Sequence, residues 1–264
     1  MTDAQPQHAQ PAAPPAGPPR SEPSREAEPR PRTGRPGSPQ TLIFDADDTL
    51  WENNVYFDRV IEDFVDWVAH PTLDRGTIRA MLNDVEAANL HTHGYGTTAF
   101  LHNLAECLER LRSRPTGAQE RQEIERLAAA LIHHEIELMP GVSDALRQLG
   151  RRHRLLLMTK GAQQEQQRKI DASGLAEHFE AVHIVAEKHP EAYRRLVSAH
   201  GLAPATTWMI GNSPRSDIVA ARAAELNAVY IPHAQTWELE HAEMDLSDPR
   251  VLVLAAFPDL LLHF

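Results

Sequence analysis

The chain has 264 residues, a formal net charge of −11 at pH 7 and a single cysteine, Cys107. This negative charge argues against nucleic acid or an anionic membrane as a partner, because both would repel it. A single cysteine excludes an internal disulfide and a cysteine-based zinc site. The length is sufficient for a sizeable core or two compact units. Because no apolar run approaches the roughly 18 residues of a membrane span, we expect a cytoplasmic protein.

Residues 1–40 differ in composition from the rest of the chain. They hold more than half of the prolines, together with Ala, Gln, Ser and Arg, and almost no large apolar side chains. Such a segment cannot bury enough apolar surface to offset the loss of conformational entropy on ordering. We therefore predict a disordered, proline-rich tail and a folded region that begins at residue 41.

The first predicted strand, Thr41–Phe44, is a short apolar run that stops at a cluster of acidic residues. Asp45, Asp47 and Asp48 would repel one another unless a cation lies among them. Mg²⁺ fits such a cluster, because hard cations prefer oxygen ligands. In an extended segment Asp45 and Asp47 could face one site while Asp48 points elsewhere. The alternative interpretation of the cluster is an acidic turn.

Residues 53–139 show helical periodicity throughout, with apolar side chains spaced three or four positions apart. These stripes predict four helices. Their members are Val60, Phe64 and Val68; Ile78, Leu82 and Val85; Phe100, Leu104 and Leu111; and Ile124, Leu127 and Leu131.

From residue 140 onward predicted strands and helices alternate. Predicted strands cover residues 154–158, 181–185, 207–210, 228–231 and 251–254, and predicted helices cover residues 163–172, 190–200 and 216–226. Alternation of this kind predicts an α/β fold with a parallel, doubly wound sheet, whose ligands bind at the carboxyl ends of the strands.

Short polar motifs follow several of these strands. Asp45-x-Asp47-x-Thr49 after an apolar strand resembles motif I of the haloacid dehalogenase-like (HAD) superfamily. The apolar strand that ends in Thr159 resembles motif II. Lys188, a lone lysine followed closely by proline, resembles motif III.

The fourth motif of that superfamily is normally a Gly-Asp pair with a second aspartate a few residues later. Here Gly211 is followed by Asn212, which stands where the first of those acids usually stands, and Asp217 is kept. The four motifs occur in the expected order over residues 41–217. The resemblance implies a Rossmann-like HAD core formed by residues 41–52 and 140–264.

The resemblance also implies roles for individual residues. Asp45 would attack phosphorus and carry a covalent aspartyl-phosphate. Asp47 would protonate the leaving group and then deprotonate the attacking water. Thr159, Lys160 and Lys188 would bind the phosphoryl group, and Lys188 would also offset the charge of Asp45.

The implied cofactor is Mg²⁺, held by Asp45, the backbone carbonyl of Asp47 and a side chain from motif IV. An amide oxygen binds Mg²⁺ without bringing charge, so we expect looser metal binding than with two acids. We favour Asn212 as the direct ligand with Asp217 supporting it. Asp217 could alternatively bind the metal directly, bind it through water, or pair with Lys188.

The helical segment 53–139 lies between motifs I and II, where the resembling superfamily carries a C1 cap, a helical lid over the catalytic site. A lid excludes water and contacts the leaving group, which favours small substrates. In the loop 93–96, Tyr95 is flanked by glycines that allow close approach. This loop is predicted either to contact substrate through Tyr95 or to be a plain interhelical turn.

The predicted function is a Mg²⁺-dependent phosphatase that hydrolyses a small phosphorylated metabolite as a monomer or homodimer. A phosphomutase remains open, because mutases of the superfamily keep the same motifs. A dehalogenase uses the nucleophilic aspartate without a second acid or metal, so Asp47 argues against it. A catalytically weak relative that acts as a binding module is the third alternative. The identity of the substrate stays open.

Overall fold

The computed structural model describes Met1 and residues 37–264 other than His134, without the side chains at positions 132 and 133. Residues 2–36 fall outside the described part of the chain. The predicted disorder of residues 1–40 therefore concerns a segment that lies almost wholly outside the described residues.

A single parallel sheet forms the centre of the fold. Its strands are β1 (Thr41–Phe44), β2 (Arg154–Lys160), β3 (Ala181–Val185), β4 (Thr207–Gly211), β5 (Asn227–Tyr230) and β6 (Val251–Val253). Their order across the sheet is β3-β2-β1-β4-β5-β6, and all neighbouring pairs are parallel. The predicted doubly wound α/β fold is confirmed.

The central strand β1 is buried on both faces, which explains why it is a continuous apolar run rather than an alternating one. Leu42 and Phe44 pack into one hydrophobic cluster that contains Leu146, whereas Ile43 packs into the opposite cluster with Tyr193. The same alternation continues along β2 and β4. Helices consequently cover both faces of the sheet.

After the inserted segment, short helices alternate with the strands along the chain. They are α6 (Val142–Leu149), α7 (Gln163–Ser173), α8 (Pro190–His200), α9 (Ala220–Ala223) and α10 (Leu260–His263). Pro190 opens α8, where its missing N–H costs nothing, and Gly201 ends it in a left-handed conformation with φ of 59°.

The inserted segment is helical in the described structure. It comprises α1 (Asn54–Val68), α2 (Arg75–His93), α3 (Thr97–Arg112), α4 (Ala118–Leu127) and α5 (Ala129–His133). The predicted apolar stripes meet in a hydrophobic cluster of their own, separate from the two clusters of the sheet, with Leu127 only partly buried against it. None of the helices within the described residues is long and apolar enough to cross a membrane.

The helix predicted from Ile124, Leu127 and Leu131 is divided at Ala128 into α4 and α5. A second predicted helix was wrong in both its bounds and its geometry. Instead of a helix over residues 216–226, the chain forms a π-helical turn over Pro214–Val219 that continues into α9. In this wider turn the backbone N–H groups of Asp217 and Ile218 both point to the carbonyl of Ser213. Such turns are rare and occur often at functional sites. Strand β2 also runs to Lys160, beyond its predicted end at residue 158.

The packing of α6 on the sheet generates a stability prediction. Leu146 is 0% exposed, so its replacement by alanine should lower the free energy of unfolding by about 2–5 kcal/mol. The matched control is Leu246→Ala, since Leu246 is 52% exposed and its truncation should change stability by less than about 0.5 kcal/mol. Urea denaturation of both variants measures the difference. Equal losses would contradict this packing.

Candidate active site

The carboxyl ends of the central strands bring the motif residues together. Phe44 pairs with Leu157 of β2 and Ile210 of β4, and the Asp45 N–H donates to the Ile210 carbonyl at 2.9 Å. A recess of about 100 Å³ opens at this edge of the sheet. The predicted site residues that line it are Asp45, Asp47, Thr159, Lys160, Lys188 and Asn212.

Lys188 joins two buried carboxylates of the site, Asp45 and Asp217. Its ammonium group contacts Asp45 Oδ1 and lies 2.7 Å from Asp217 Oδ1, and its side chain is 1% exposed. Burial opposes the charge, but the two carboxylates outweigh it, so the pKa of Lys188 lies above its ordinary value. Lys188 is therefore protonated and neutralises part of the negative charge around Asp45.

The second oxygen of Asp45 faces the motif IV amide. The Thr49 hydroxyl lies 3.1 Å from Asp45 Oδ2 and 3.2 Å from Asn212 Oδ1. One hydroxyl donates a single proton, so these two buried acceptors share a donor that fully satisfies only one of them. Both acceptors are oxygen atoms, and both lie close to the Thr49 hydroxyl. Oxygen atoms gathered in this way are the ligands that a hard divalent cation prefers. The residues present therefore fit a Mg²⁺ ion at Asp45 and Asn212.

Asp217 has both carboxylate oxygens engaged by the protein. Oδ1 accepts from Lys188 at 2.7 Å and Oδ2 accepts from the Ser213 N–H at 3.0 Å. Burial and the charge of Asp45 raise the pKa of Asp217, against the lowering effect of Lys188. A Cβ atom on Gly211 would lie 2.1 Å from Asp217 Oδ2, so only glycine fits at that position. This arrangement makes Asp217 a partner of Lys188.

Asp47 is held by residues that the sequence motifs did not reveal. Its carboxylate accepts two 2.7 Å contacts from Lys169 Nζ, one at 2.9 Å from Gln166 Nε2 and one at 2.8 Å from Trp51 Nε1. Burial raises the pKa of Asp47, but the charge and hydrogen bonds of Lys169, with those of Gln166 and Trp51, lower it overall. Asp47 is thus anchored as a carboxylate in this structure.

A sequence signal for these partners existed in α7. Gln166, Lys169 and Ile170 are the buried residues of an otherwise polar helix, and they recur at helical spacing on one face. Gln166 also donates to Thr159 Oγ1 at 3.0 Å and to the Lys160 carbonyl at 2.7 Å. A lysine and a glutamine on the buried face of a helix that follows motif II indicate polar partners at that edge of the sheet.

Asp48 is the last residue of the acidic cluster and, as predicted, its carboxylate has other partners than that of Asp45. It adopts a left-handed conformation with φ of 60°, and its Oδ1 accepts from the N–H groups of Asn53 and Asn54 at 2.9 and 3.0 Å. Burial raises the pKa of Asp48 to about 8, despite these backbone donors. Asp48 therefore anchors the start of α1 and so connects motif I to the inserted helices.

Lys160 and Tyr95, both predicted to bind substrate, contact each other. Lys160 Nζ lies 4.4 Å from the centroid of the Tyr95 ring, 3.0 Å from Ser216 Oγ, and in an ion pair with Glu240. The Tyr95 hydroxyl donates to Glu187. Lys160 lines the recess at the carboxyl ends of the strands, whereas Tyr95 lines the adjoining space beneath the inserted helices.

Several hydrogen bonds fasten the inserted helices over this recess. Glu165 of α7 accepts from the N–H and the hydroxyl of Thr97, at 2.9 and 3.2 Å, and so caps the start of α3. Trp237 donates to Glu86 of α2 at 3.0 Å. No sequence motif indicated this contact of Trp237.

Comparison with known proteins places the chain in a family. Residues 39–225 match the haloacid dehalogenase-like hydrolase family. A phosphoserine phosphatase from Thermus thermophilus is 33% identical over 108 residues, which are 38% of this chain and 43% of the relative. The chain thus spans less than half the length of this curated relative.

Solved structures show the same fold. A haloacid dehalogenase-like family hydrolase from Xanthomonas campestris superposes with a TM-score of 0.71 at 26% identity, covering 84% of this chain and 92% of that one. A HAD hydrolase from Bacillus subtilis, solved with magnesium bound, has a TM-score of 0.59 at 16% identity, over 86% and 100% of the two chains. Given the motif order, the parallel sheet and the family match over most of its length, the chain belongs to the haloacid dehalogenase-like hydrolases.

Proposed function

We propose that this protein is a Mg²⁺-dependent phosphatase that hydrolyses a small phosphorylated metabolite through an aspartyl-phosphate on Asp45. The observation that carries the proposal is the environment of the Asp45 carboxylate. One oxygen contacts Lys188, and the other is 3.1 Å from the Thr49 hydroxyl that also reaches Asn212. A carboxylate set between a protonated lysine and an oxygen-lined cation site suits attack on a phosphoryl group.

In the proposed reaction a carboxylate oxygen of Asp45 forms a bond to phosphorus as the bond to the leaving oxygen breaks. The leaving oxygen keeps the electron pair of the broken bond and takes a proton from Asp47, which must first be protonated because the structure holds it as a carboxylate. Water then attacks the aspartyl-phosphate, Asp47 accepts its proton, and the carboxylate of Asp45 is released with inorganic phosphate. Lys188 and Thr159 bind phosphoryl oxygens, and Lys188 offsets the charge of Asp45.

The Mg²⁺ would be held by the carboxylate of Asp45, the backbone carbonyl of Asp47 and the side-chain oxygen of Asn212. Asp217 would support the site through its ion pair with Lys188. When bound, the ion would supply positive charge that neutralises the transferring phosphoryl oxygens.

The inserted helices act as the cap in this proposal. They lie over the recess and are bonded to it through Thr97, Glu86 and Asn54. Such a cover leaves room for a small ester and excludes a folded protein substrate. The similarity to a phosphoserine phosphatase supports phosphate-ester chemistry.

Asp45→Asn should lower hydrolysis of p-nitrophenyl phosphate by at least about a thousandfold, because an amide is a far weaker nucleophile. The melting temperature should stay close to that of the wild type, since the two side chains have nearly equal volume. Asp144→Asn is the control, because Asp144 is an exposed aspartate on α6. Activity near the wild-type level in Asp45→Asn would disprove the covalent mechanism.

Asp47→Asn should lose more activity with a poor leaving group than with a good one, since protonation matters most for the poor one. We expect a loss of about 10²–10⁴-fold for an alkyl phosphate and a smaller loss for p-nitrophenyl phosphate. The measurement is kcat for both esters in both proteins, with release of inorganic phosphate as the readout. Equal losses for the two esters would remove Asp47 from the role of general acid.

Asn212→Ala should raise the Mg²⁺ concentration that gives half-maximal activity, and Asn212→Asp should lower it, because affinity for hard cations rises with ligand charge. Asp217→Asn should impair catalysis with a smaller change in this concentration, since Asp217 pairs with Lys188. An unchanged value in Asn212→Ala together with a large shift in Asp217→Asn would assign the metal to Asp217 instead.

A further inference from the structure

A cavity of about 330 Å³ lies beside the catalytic recess, between the inserted helices α1, α2 and α3 and the loop that follows β5. Its volume is within the range of about 300–1,000 Å³ that is typical of small-molecule sites. Asn53, Asn54 and Trp237 line both the cavity and the catalytic recess. A phosphate ester bound at Asp45 can therefore extend its leaving group past these residues into the cavity.

More acidic than basic side chains line the cavity. The lining residues of the described chain include three acids, Asp58, Glu86 and Glu238, and one base, Arg79. Arg79 is already paired, because Nη1 and Nη2 each lie 3.1 Å from Asp58 Oδ1. Glu86 and Glu238 thus give the cavity an excess of negative charge, which attracts a cationic ligand and repels an anionic one.

Glu86 is the acid best placed to recognise such a ligand. It is 7% exposed and forms no ion pair with any residue that the structure describes. One oxygen accepts from Trp237 Nε1 at 3.0 Å, which fixes the carboxylate at the junction of the two spaces. The pKa of Glu86 lies above its ordinary value, because burial raises it more than Trp237 and Arg79 lower it. Such a rise is expected of a buried carboxylate without a full counter-charge.

A buried acceptor without a hydrogen-bond partner among the described residues also lines this cavity. This acceptor is the Oδ1 atom of Asn83. Buried acceptors are normally satisfied, and each one that is not costs free energy. The polar part of this cavity therefore offers acceptors, and its apolar part is formed by aromatic rings such as Phe57 and Phe100.

We propose that this cavity binds the leaving group of a phosphate monoester that carries a protonated amine, with Glu86 as the residue that recognises the ammonium. The inference rests on the proposed phosphatase function and specifies its substrate class as phosphorylated amino sugars or amino alcohols. Esters whose leaving group carries a carboxylate are poor ligands, because the excess negative charge of the cavity repels them.

The test uses esters that differ in a single group. Glucosamine 6-phosphate and glucose 6-phosphate differ by an ammonium in place of a hydroxyl, and phosphoethanolamine and phosphoglycolate differ by a protonated aminomethyl group in place of a carboxylate. The wild-type protein should have a kcat/KM at least about tenfold higher for the amine in each pair, since hydrogen bonds between charged groups are strong.

Glu86→Gln should bring the amine-to-hydroxyl ratio of kcat/KM close to one, chiefly through a higher KM for the amine. Trp237→Phe should lower the ratio part of the way, because it frees the Glu86 carboxylate. Glu123→Gln is the matched control, since Glu123 lies on the outer helix α4 in an exposed pair with Arg126 and should leave the ratio unchanged. Melting temperatures report whether each variant folds.

A ratio near one in the wild-type protein, or an undiminished ratio in Glu86→Gln, would overturn the inference. Calorimetric binding of both hexose phosphates to Asp45→Asn separates this failure from a failure of the proposed function. If p-nitrophenyl phosphate is not hydrolysed but the amine still binds more tightly, the cavity inference stands and the phosphatase proposal does not. If p-nitrophenyl phosphate is hydrolysed without any amine preference, or if none of the four esters binds, the cavity inference is wrong.

Discussion

The charge of Lys188 is the constraint on which the rest of the site depends. Parallel strands that end at one edge of a sheet bring Asp45 and Asp217 into a buried space, where two carboxylates cannot both stay ionised without a cation. Lys188 supplies that cation and joins the loops after β1, β3 and β4. Removal of Lys188 would leave two buried carboxylates without a counter-charge, which costs about 3–5 kcal/mol, whereas a change at Asp45 alone leaves Lys188 paired with Asp217.

This balance also explains how an amide is tolerated at position 212. With Lys188 set against Asp45 and Asp217, the buried site carries two carboxylates and one ammonium before a metal binds. A third carboxylate at position 212 would increase the repulsion that the phosphoryl group of the proposed substrate meets. The side chain of Asn212 places a neutral oxygen ligand near Asp45 without adding a negative charge. The expected consequence is weaker attraction for Mg²⁺, because the donor is neutral.

The inserted helices and the polar helix α7 extend the site beyond its motifs. Three residues of α7 make these contacts. Glu165 caps α3, Gln166 donates a hydrogen bond to Thr159, and Lys169 donates to Asp47. One helix therefore contacts the inserted helices, the proposed phosphoryl-binding residue and the proposed general acid. Because Lys169 lowers the pKa of Asp47, it favours the carboxylate form, which must take up a proton before Asp47 can act as the proposed general acid.

The sequence alone determined the elements that local chemistry specifies. The apolar run of β1, the proline and glycine that bound α8, and the stripes of the inserted helices follow from periodicity and backbone preferences, and the structure has them where predicted. The motif residues Asp45, Thr159 and Asn212 were also foreseeable at one edge, because each directly follows or ends a parallel strand.

The partners of those residues were decided by tertiary structure. The bonds of Lys169 to Asp47 and of Trp237 to Glu86 join residues separated by 122 and 151 positions. No local pattern encodes contacts between segments that only the packed sheet and helices bring together. The π-helical turn at Asp217 has the same origin, because backbone preference for an ordinary helix yields there to the bonds that Asp217 makes with Lys188 and Ser213.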